Sequence, residues 1–552
     1  MSLRENISTV IVNHILNRYG DSMDYANKIL DSVRIILSSS VDEYVLPQKI
    51  FINDLFPVTE KGDYQDALSK INEKEARRKK EGVYYTDCDV TDFLAANTFL
   101  HYAKPSERNV YGLKKALRKL DLLSSDQKIR IINASTLDPT CGTGEFLLSA
   151  LSIKIRLFKQ VGGKNYKELT QSVYGNDIEL QSTEITKIRM FFFLIDSFDV
   201  ELPVGEIAQR LNANFSNVDA IVYDGITFGS KDVIIGNPPY IEYRKFDGKP
   251  EYAYGNVYAD VLHNSVNSMT EDGIMAFVIP LSYISTIRMS KIRNYIAERS
   301  RMQIIMNFAD RPDSLFSCVH QKLSIVIAQK VSDHGGVLSS SYNYWYKSER
   351  RTLFENIHLS PTITDNTDYW PKIGNNVEKS IYKKFQRLRG IDMLSFEDDN
   401  TMANLYINQR ACFWMKAFTH DMHSDSYTKY SVPSDILPFV FCLVNSSLFF
   451  LLWVIISDGW HITRKELSFI RIPTNIGEPH TWQNLMNRLE EELENTKVYV
   501  GTKQVDYEYK HKECKYIIDE IDDQLAEVYK LSEKQLNYIK NFGLKYRLGD
   551  GA

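Results

Sequence analysis

The sequence has no excess of positive charge. Its 66 Lys and Arg residues face 71 Asp and Glu, a net charge of −5 over 552 residues. Such a chain is not a non-specific polycation. To bind nucleic acid it must gather basic groups on one face, because the phosphate interaction needs only local charge. Cysteine is scarce: Cys88, Cys141, Cys318, Cys412, Cys442 and Cys514, with no CxxC pair. That argues against a disulfide framework and a cysteine zinc site, and fits a reduced, cytoplasmic compartment. The N-terminus, MSLRENISTVIVNHILNRYG, carries Arg4, Glu5 and Arg18, without a continuous apolar stretch or a small-residue cleavage site, so it does not read as a signal peptide. A long apolar run lies at Ile436 to Ile456, but Pro438 and Asn445-Ser446-Ser447 interrupt it. It reads as two buried elements around a polar turn, so no membrane partner is expected. Internal repeats and low-complexity segments are absent too.

Hydrophobic residues make up 43% and charged residues 25%, which excludes wholesale disorder and allows a large core. Residues 1–80 read as helical, with Val10, Ile11, His14 and Ile15 at three-and-four spacing, and end in the charged run EKEARRKKE. Over 81–335, short β-rich runs (DAIVYD, DVIIGNPPY, IMAFVIP, KLSIVIAQ) alternate with helical stretches. That pattern predicts an α/β fold, a mostly parallel sheet with helices on both faces. Residues 336–480 are irregular and rich in Tyr, Ser, Asn and Trp, and 481–552 read as helical again.

Chemistry gathers at the ends of the expected strands. Leu137-Asp138-Pro139-Thr140-Cys141-Gly142-Thr143-Gly144-Glu145-Phe146 joins a strand to a helix. Its glycines allow a tight turn and a close ligand approach at a helix N-terminus. A dinucleotide fingerprint would put a third glycine at 147, where Leu147 stands. Asp138 suits a cationic amine better than a pyrophosphate. The bland alternative is an ordinary βα turn. Asp177, in Tyr174-Gly175-Asn176-Asp177-Ile178-Glu179, is placed to hold two ribose hydroxyls or to serve as a helix N-terminal charge. Asp224, after DAIVYD, offers an acceptor for an adenine amino group.

The most specific stretch is Gly236-Asn237-Pro238-Pro239-Tyr240, after DVII. Two prolines fix φ and remove two backbone donors, so the loop presents carbonyl oxygens. With the Asn237 side-chain oxygen it offers two acceptors to one amino group, and Tyr240 offers a flat ring. Together they form a receptor for a planar ring bearing an exocyclic amine.

These motifs, in this order, resemble the S-adenosylmethionine-dependent N6-adenine DNA methyltransferases of restriction–modification systems, in the gamma arrangement. Gly82-Val83-Tyr84-Tyr85-Thr86 is similar to the segment that closes over the methionine end of the cofactor, with Asp87 where the family usually has proline. The resemblance implies a Rossmann-like methyltransferase domain with a mixed seven-stranded sheet over 81–335. It also implies a mixed α/β target-recognition domain over 336–480 and helical termini over 1–80 and 481–552. It implies S-adenosyl-L-methionine as cofactor. Tyr84 and Thr86 would close over it, and Asp138, Pro139, Cys141, Gly142 and Gly144 would surround its methionine end. Phe146 and Ile178 would flank the adenosine, with Asp177 on the ribose and Asp224 on the adenine. Asn237 and the Pro238 carbonyl would bind the target amine, with Pro239 in the same loop and Tyr240 and Phe316 stacking on the base. Neither a metal nor a general base is required. Double-stranded DNA is the implied partner, with any restriction endonuclease on a separate chain. In 336–480, Arg350, Arg351, Arg410, Lys416, Arg464 and Lys465 are candidates for phosphate or guanine contacts, and Asn404, Asn408 and Gln409 for adenine contacts. Methylation of a protein glutamine or of RNA adenine, and a non-catalytic DNA-binding subunit, stay open as alternatives.

Overall fold

The computed structural model describes residues 3–38, 40–51, 64–70, 86–221, 229–245, 252–316, 320–330, 336–366, 368–396, 401–502 and 506–549. The strands of its main sheet are β1 (Thr136–Asp138), β2 (Val173–Asn176), β3 (Phe215–Ser216), β4 (Lys231–Gly236), β5 (Met269–Pro280), β6 (Met302–Phe308), β7 (Leu323–Gln329), β8 (Gly336–Asn343) and β9 (Leu359–Pro361). They lie in the order β3-β2-β1-β4-β5-β7-β6-β8-β9. From β3 to β5 neighbouring strands are parallel, and β7 runs antiparallel to both β5 and β6. Every residue of β6 and β7 is buried, as expected of strands covered on both faces. Helices Cys88–Ala103, Glu145–Gln160 and Val257–Ser268 pack against the central strands.

The expected mixed seven-stranded sheet is present as β3-β2-β1-β4-β5-β7-β6, and two further strands extend it. β8 adds parallel to β6 and β9 antiparallel to β8. The boundary expected at 335/336 therefore falls between strands of one sheet. The reason lies in serine chemistry. GVLSSSYN lacks an apolar alternation, yet its hydroxyls satisfy a buried asparagine of β6. The Asn307 amide donates to Ser339 Oγ (3.1 Å) and the Ser340 carbonyl (3.0 Å), and its backbone N–H donates to Ser340 Oγ (2.9 Å).

The N-terminal helices Leu3–Tyr19 and Met23–Ile36 pack together, and the second lies on helices Leu180–Asp196 and Val204–Asn214. Asp196 collects His14 Nε2 (3.0 Å), the Tyr64 hydroxyl (2.7 Å) and the Tyr19 hydroxyl, while Glu184 accepts from Tyr44 (2.9 Å) and Ser40. The run EKEARRKKE, 73–81, lies outside the described residues.

The apolar stretch 436–456 forms helices Leu437–Asn445 and Ser447–Ile456, bent by 61° and, except for Leu437, buried. Its polar break has a cause on each side. Asn445 pairs its amide with both backbone groups of Ala417 (3.1 Å each), and Ser446 Oγ caps the second helix by accepting from Phe449 N (3.0 Å). Among the described residues no single helix is long and apolar enough to cross a membrane. A three-stranded antiparallel sheet, Ala417–Phe418, Met402–Asn408 and Tyr427–Pro433, stands apart from the main one. The C-terminal region holds helices Pro479–Thr496, Lys515–Val528 and Glu533–Asn541, and also a hairpin pairing Val498–Tyr499 with Tyr507–Glu508, which departs from the helical expectation.

Candidate active site

The strand order places β1 beside β4 with connections leaving in opposite directions, the switch point where parallel α/β sheets open a crevice at their carboxyl ends. Asp138 ends β1 and Gly236 ends β4. Asp138 is only 1% exposed, and its Oδ1 accepts the Thr140 N–H at 3.0 Å. Burial pushes its carboxyl well above the ordinary carboxylate value, and the Asp177 charge pushes the same way. Gly236 explains itself here: a Cβ on it would stand 2.5 Å from Asp138 Oδ1. Sequence reasoning assigns this glycine no role, although it opens the motif.

The 142–144 turn is tied to the end of β2. Gly142 and Gly144 both have positive φ, 52° and 93°. A Cβ on Gly144 would meet Thr186 Cγ2 at 2.6 Å, and Thr186 Oγ1 donates to the Gly142 carbonyl at 2.7 Å. Cys141 N–H donates to the Asn176 carbonyl (2.7 Å), and the Asn176 amide donates to the Pro139 carbonyl (2.9 Å). Gly142 N–H donates to Asp177 Oδ2 and Glu179 N–H to Asp177 Oδ1, each at 2.9 Å. The carboxylate that the resemblance assigns to ribose thus also braces the glycine turn. Arg189, which sequence reasoning does not single out, locks the far side by bonding the Thr143 carbonyl and Glu145 Oε1. Its partners lie more than forty residues away in the chain, so no local signal marks it.

Asn237 is held at both ends of its amide. Nδ2 donates to Thr86 Oγ1 at 3.1 Å, and Oδ1 accepts the Tyr240 hydroxyl, which also lies 3.0 Å from the Val278 carbonyl of β5. Pro238 is buried, and Pro239 and Tyr240 are partly exposed. The Tyr240 ring meets Tyr258 edge-on, centroids 6.3 Å apart.

Other expected site residues sit differently. Ile178 is 67% exposed beside Asp177, an apolar side chain open to cover by a flat ring. Phe146 is 4% exposed and belongs to the core, so it does not flank an open crevice; the first turn of its helix rolls it inward. Phe316 is likewise core-packed at 2% exposure, and an incoming base would reach its face only after a movement. Cys141 is buried, and burial raises its thiol pKa well above the ordinary value. Tyr84 and Asp224 lie outside the described residues.

The basic candidates of 336–480 divide in two. Arg351, Arg410 and Arg464 are exposed. Lys465 turns inward to the Ser285 and Ile456 carbonyls (2.9 Å each), Lys416 is partly buried with its ammonium pKa lowered by that burial, and Arg350 bonds within the chain to Asp89. Those three are corrected from surface contacts to internal ones, because each finds carbonyls, carboxylates or an apolar setting within reach. Asn404 is exposed, Asn408 Oδ1 accepts Arg410 N–H (2.8 Å), and Gln409 Nε2 donates to the Ile407 carbonyl (3.1 Å).

Residues 171–316 match the model of a family described as Eco57I restriction-modification methylase. The chain is similar to the type II restriction enzyme and methyltransferase RM.Eco57I of Escherichia coli, 19% identical over 434 residues, 67% of this chain and 41% of that protein. It is also similar to the type II methyltransferase M.BanIII of Aneurinibacillus aneurinilyticus, 23% identical over 249 residues, 44% of this chain and 37% of that one. The chain thus spans less than half the length of these relatives. Among solved structures, the type IIL restriction-modification enzyme MmeI in complex with DNA superposes with a TM-score of 0.53 at 12% identity, over 99% of this chain and 94% of that one.

The residues present fit the cofactor this match implies. A buried carboxylate with a raised pKa at Asp138 calls for a cation, and Thr140 Oγ1 beside it is buried without a hydrogen-bond partner. The Cβ direction of Gly142 is open, with no atom within 4 Å. In fold the chain is Rossmann-like α/β with helical termini, and S-adenosylmethionine is the cofactor that the matched family model implies.

Proposed function

We propose that the chain is a site-specific DNA adenine-N6 methyltransferase of a restriction–modification system. The observation that carries this reading is the Asn237 amide, fixed by Thr86 and Tyr240 at the end of β4, one strand away from the buried Asp138. Bound S-adenosylmethionine supplies a methyl group already activated on a sulfonium. The chain's own task is to bind, orient and polarise. Asp138 would hold the cofactor's ammonium, and the 142–144 turn would let its methionine end approach the backbone. Asp177 would take the ribose hydroxyls, and Ile178 one face of the adenine.

On the target side, Asn237 Oδ1 and the Pro238 carbonyl would accept the two N–H bonds of adenine N6. That nitrogen is conjugated with its ring and is a poor nucleophile. Two acceptors draw it toward tetrahedral geometry and stabilise the positive charge that grows during transfer. A carboxamide oxygen has two lone pairs, so the incoming amine either shares Oδ1 with the Tyr240 hydroxyl or displaces it onto the Val278 carbonyl. Swinging the base from the duplex costs a few kcal/mol. Stacking returns about 1–3 kcal/mol per base, first on the partly exposed Tyr240.

A surface for the duplex is consistent with this reading. Exposed Arg311 lies 5.6 Å from the Trp460 ring, and Lys322, ion-paired with Asp310 (3.1 Å) and turned inward, backs the same ring at 4.3 Å, at the end where β6 stops and β7 starts. The Leu281 N–H, just past β5, donates to the Lys322 carbonyl at 3.0 Å, which puts this ledge on the carboxyl edge shared with Asn237. Exposed Arg410 and Arg464 belong to neighbouring segments. A separately encoded restriction endonuclease completes the proposed system.

The test is expression in a bacterial host free of adenine methylation, followed by single-molecule sequencing of its DNA. The expected result is N6-methyladenine at one short motif, abolished by Asn237→Ala. Unmodified DNA with wild type, or label from S-adenosylmethionine entering RNA or protein instead, refutes the proposal.

A further inference from the structure

Arg350 sits in a 3-10 helix, Lys347–Glu355, that follows β8, well outside the motifs of the candidate site. Its side chain is 19% exposed and bonds two distant segments at once. Nε and Nη2 form a fork on Asp89 (2.6 and 2.9 Å), and Nη2 also lies 3.4 Å from Asp87 Oδ2. Nη1 donates to the Ser314 carbonyl (3.2 Å) and Nη2 to the Leu315 carbonyl (2.9 Å). Asp87 stands at the N-cap of helix Cys88–Ala103 and directly follows Thr86, whose hydroxyl accepts the Asn237 amide. Ser314 and Leu315 directly precede Phe316, in the loop from β6 to β7.

The 3-10 helix is itself anchored. Phe354 stacks on Phe93 of helix Cys88–Ala103, centroids 4.2 Å apart, and Glu349 pairs with Lys545 (2.5 Å) and accepts the Tyr546 hydroxyl (3.1 Å). Adjacent residues of one turn therefore hold the short helix Leu544–Leu548 on one side and the Thr86 segment on the other. Only a planar guanidinium can fork on one carboxylate while its outer N–H bonds reach two carbonyls; a lysine ammonium offers three donors from a single point.

We infer that Arg350 is a positioning residue. It fixes the Thr86 segment against the β6–β7 loop and, through Thr86, sets the orientation of the Asn237 amide. The inference rests on the reading of Asn237 as the group that binds the target amine.

Arg350→Lys and Arg350→Met in the full chain test it, with two readouts. The first is hydrogen exchange at the Val90 and Thr91 amides, which bond to the Asp87 carbonyl (3.0 and 3.3 Å). Both variants should exchange faster there while the buried helix Ser447–Ile456 keeps its protection. The second is a kinetic split: kcat should fall about 10–100-fold, with KM for DNA and the affinity for S-adenosylhomocysteine changed less than about threefold. Unchanged exchange overturns the clamp, and faster exchange with unchanged kcat overturns its role in positioning. A loss that tracks global unfolding, with exchange rising equally in Ser447–Ile456, also overturns it. Wild-type chain that transfers no methyl group sinks the functional reading instead, and the exchange comparison still decides the clamp.

Discussion

Substituting Gly236 by alanine puts one methyl group where the structure has no room. The new Cβ would lie 2.5 Å from Asp138 Oδ1 and 3.0 Å from its Cγ, inside the repulsive wall of both atoms. Asp138 is buried at the end of β1, so its carboxylate cannot swing into solvent. Two responses remain. The carboxylate tilts and loses the Thr140 N–H, or the loop that starts at Asn237 shifts away from β1. Overpacking of this kind costs about 1–3 kcal/mol. A buried acceptor stripped of its donor costs about the same, 1–3 kcal/mol. Relaxation uses one route or the other, so a loss of about 1–3 kcal/mol is expected, measured by denaturant unfolding. A loop displaced by about 1 Å would lower methyl transfer about 100-fold, far beyond what that loss of stability explains. The decisive assay is a double-mutant cycle with Asp138→Ala. Removing the carboxylate removes the obstacle, so Gly236→Ala should cost almost nothing in that background, with a coupling energy of about 1–3 kcal/mol. Costs that add to within about 0.5 kcal/mol would refute the steric argument.

Asp138 also gives the cofactor-free chain a pH dependence. Its folded pKa is raised by burial, so between the unfolded and folded values the native state holds the extra proton, and stability falls as pH rises through that window. Asp138→Asn should remove that slope, and S-adenosylhomocysteine should bind wild type more tightly as pH rises through the same window; matching slopes in denaturant titrations of the two proteins would exclude the assignment. For the proposed nucleic-acid surface, replacing Arg410 and Arg464 together by alanine should lower the slope of log affinity against log salt by about 0.9 for each phosphate the pair neutralises. Arg464→Ala paired with Lys465→Ala should lower it no further than Arg464→Ala alone, since Lys465 is turned inward; a larger drop, read by fluorescence anisotropy, counts against that placement.

What the sequence makes legible is what local chemistry dictates. The strand-end motifs are short, and their turns answer to neighbours within a few residues: positive φ at Gly142 and Gly144, and two prolines after Asn237. The apolar runs IMAFVIP and KLSIVIAQ form β5 and β7 because strands covered on both faces need no alternation. What stays hidden depends on partners far away in the chain. The serines of β8 read as irregular because their partner, Asn307, is more than thirty residues upstream. Arg350 reads as a surface cation because its carboxylate lies 261 residues away. Phe146 and Phe316 show a further limit, since an aromatic in the segment that follows a strand can face the crevice or the core, and spacing does not distinguish them.

The site therefore owes its rigidity to convergence and not to its motif alone. Asn-Pro-Pro-Tyr fixes its own φ angles at the prolines, and its Tyr240 hydroxyl holds the oxygen end of the Asn237 amide, but the nitrogen end is held from outside the motif. Groups from elsewhere complete the restraint. Thr86 uses the Nδ2 end, so the oxygen end is left to meet hydroxyl or amine donors, and the Tyr240 hydroxyl on Oδ1 already marks the direction from which a donor arrives. Asp138 sets how close the loop can lie to β1, because only glycine at 236 lets the two strands' ends approach. The Val278 carbonyl of β5 offers the Tyr240 hydroxyl an alternative partner at 3.0 Å. An acceptor oriented before substrate binds needs no reorganisation during transfer, which is the condition under which such a group stabilises developing charge most strongly. The same logic explains why the anchors are spread over β1, β5 and the Thr86 segment: each constrains a different degree of freedom of one side chain, and loss of any one leaves the motif intact in sequence but free to turn its amide.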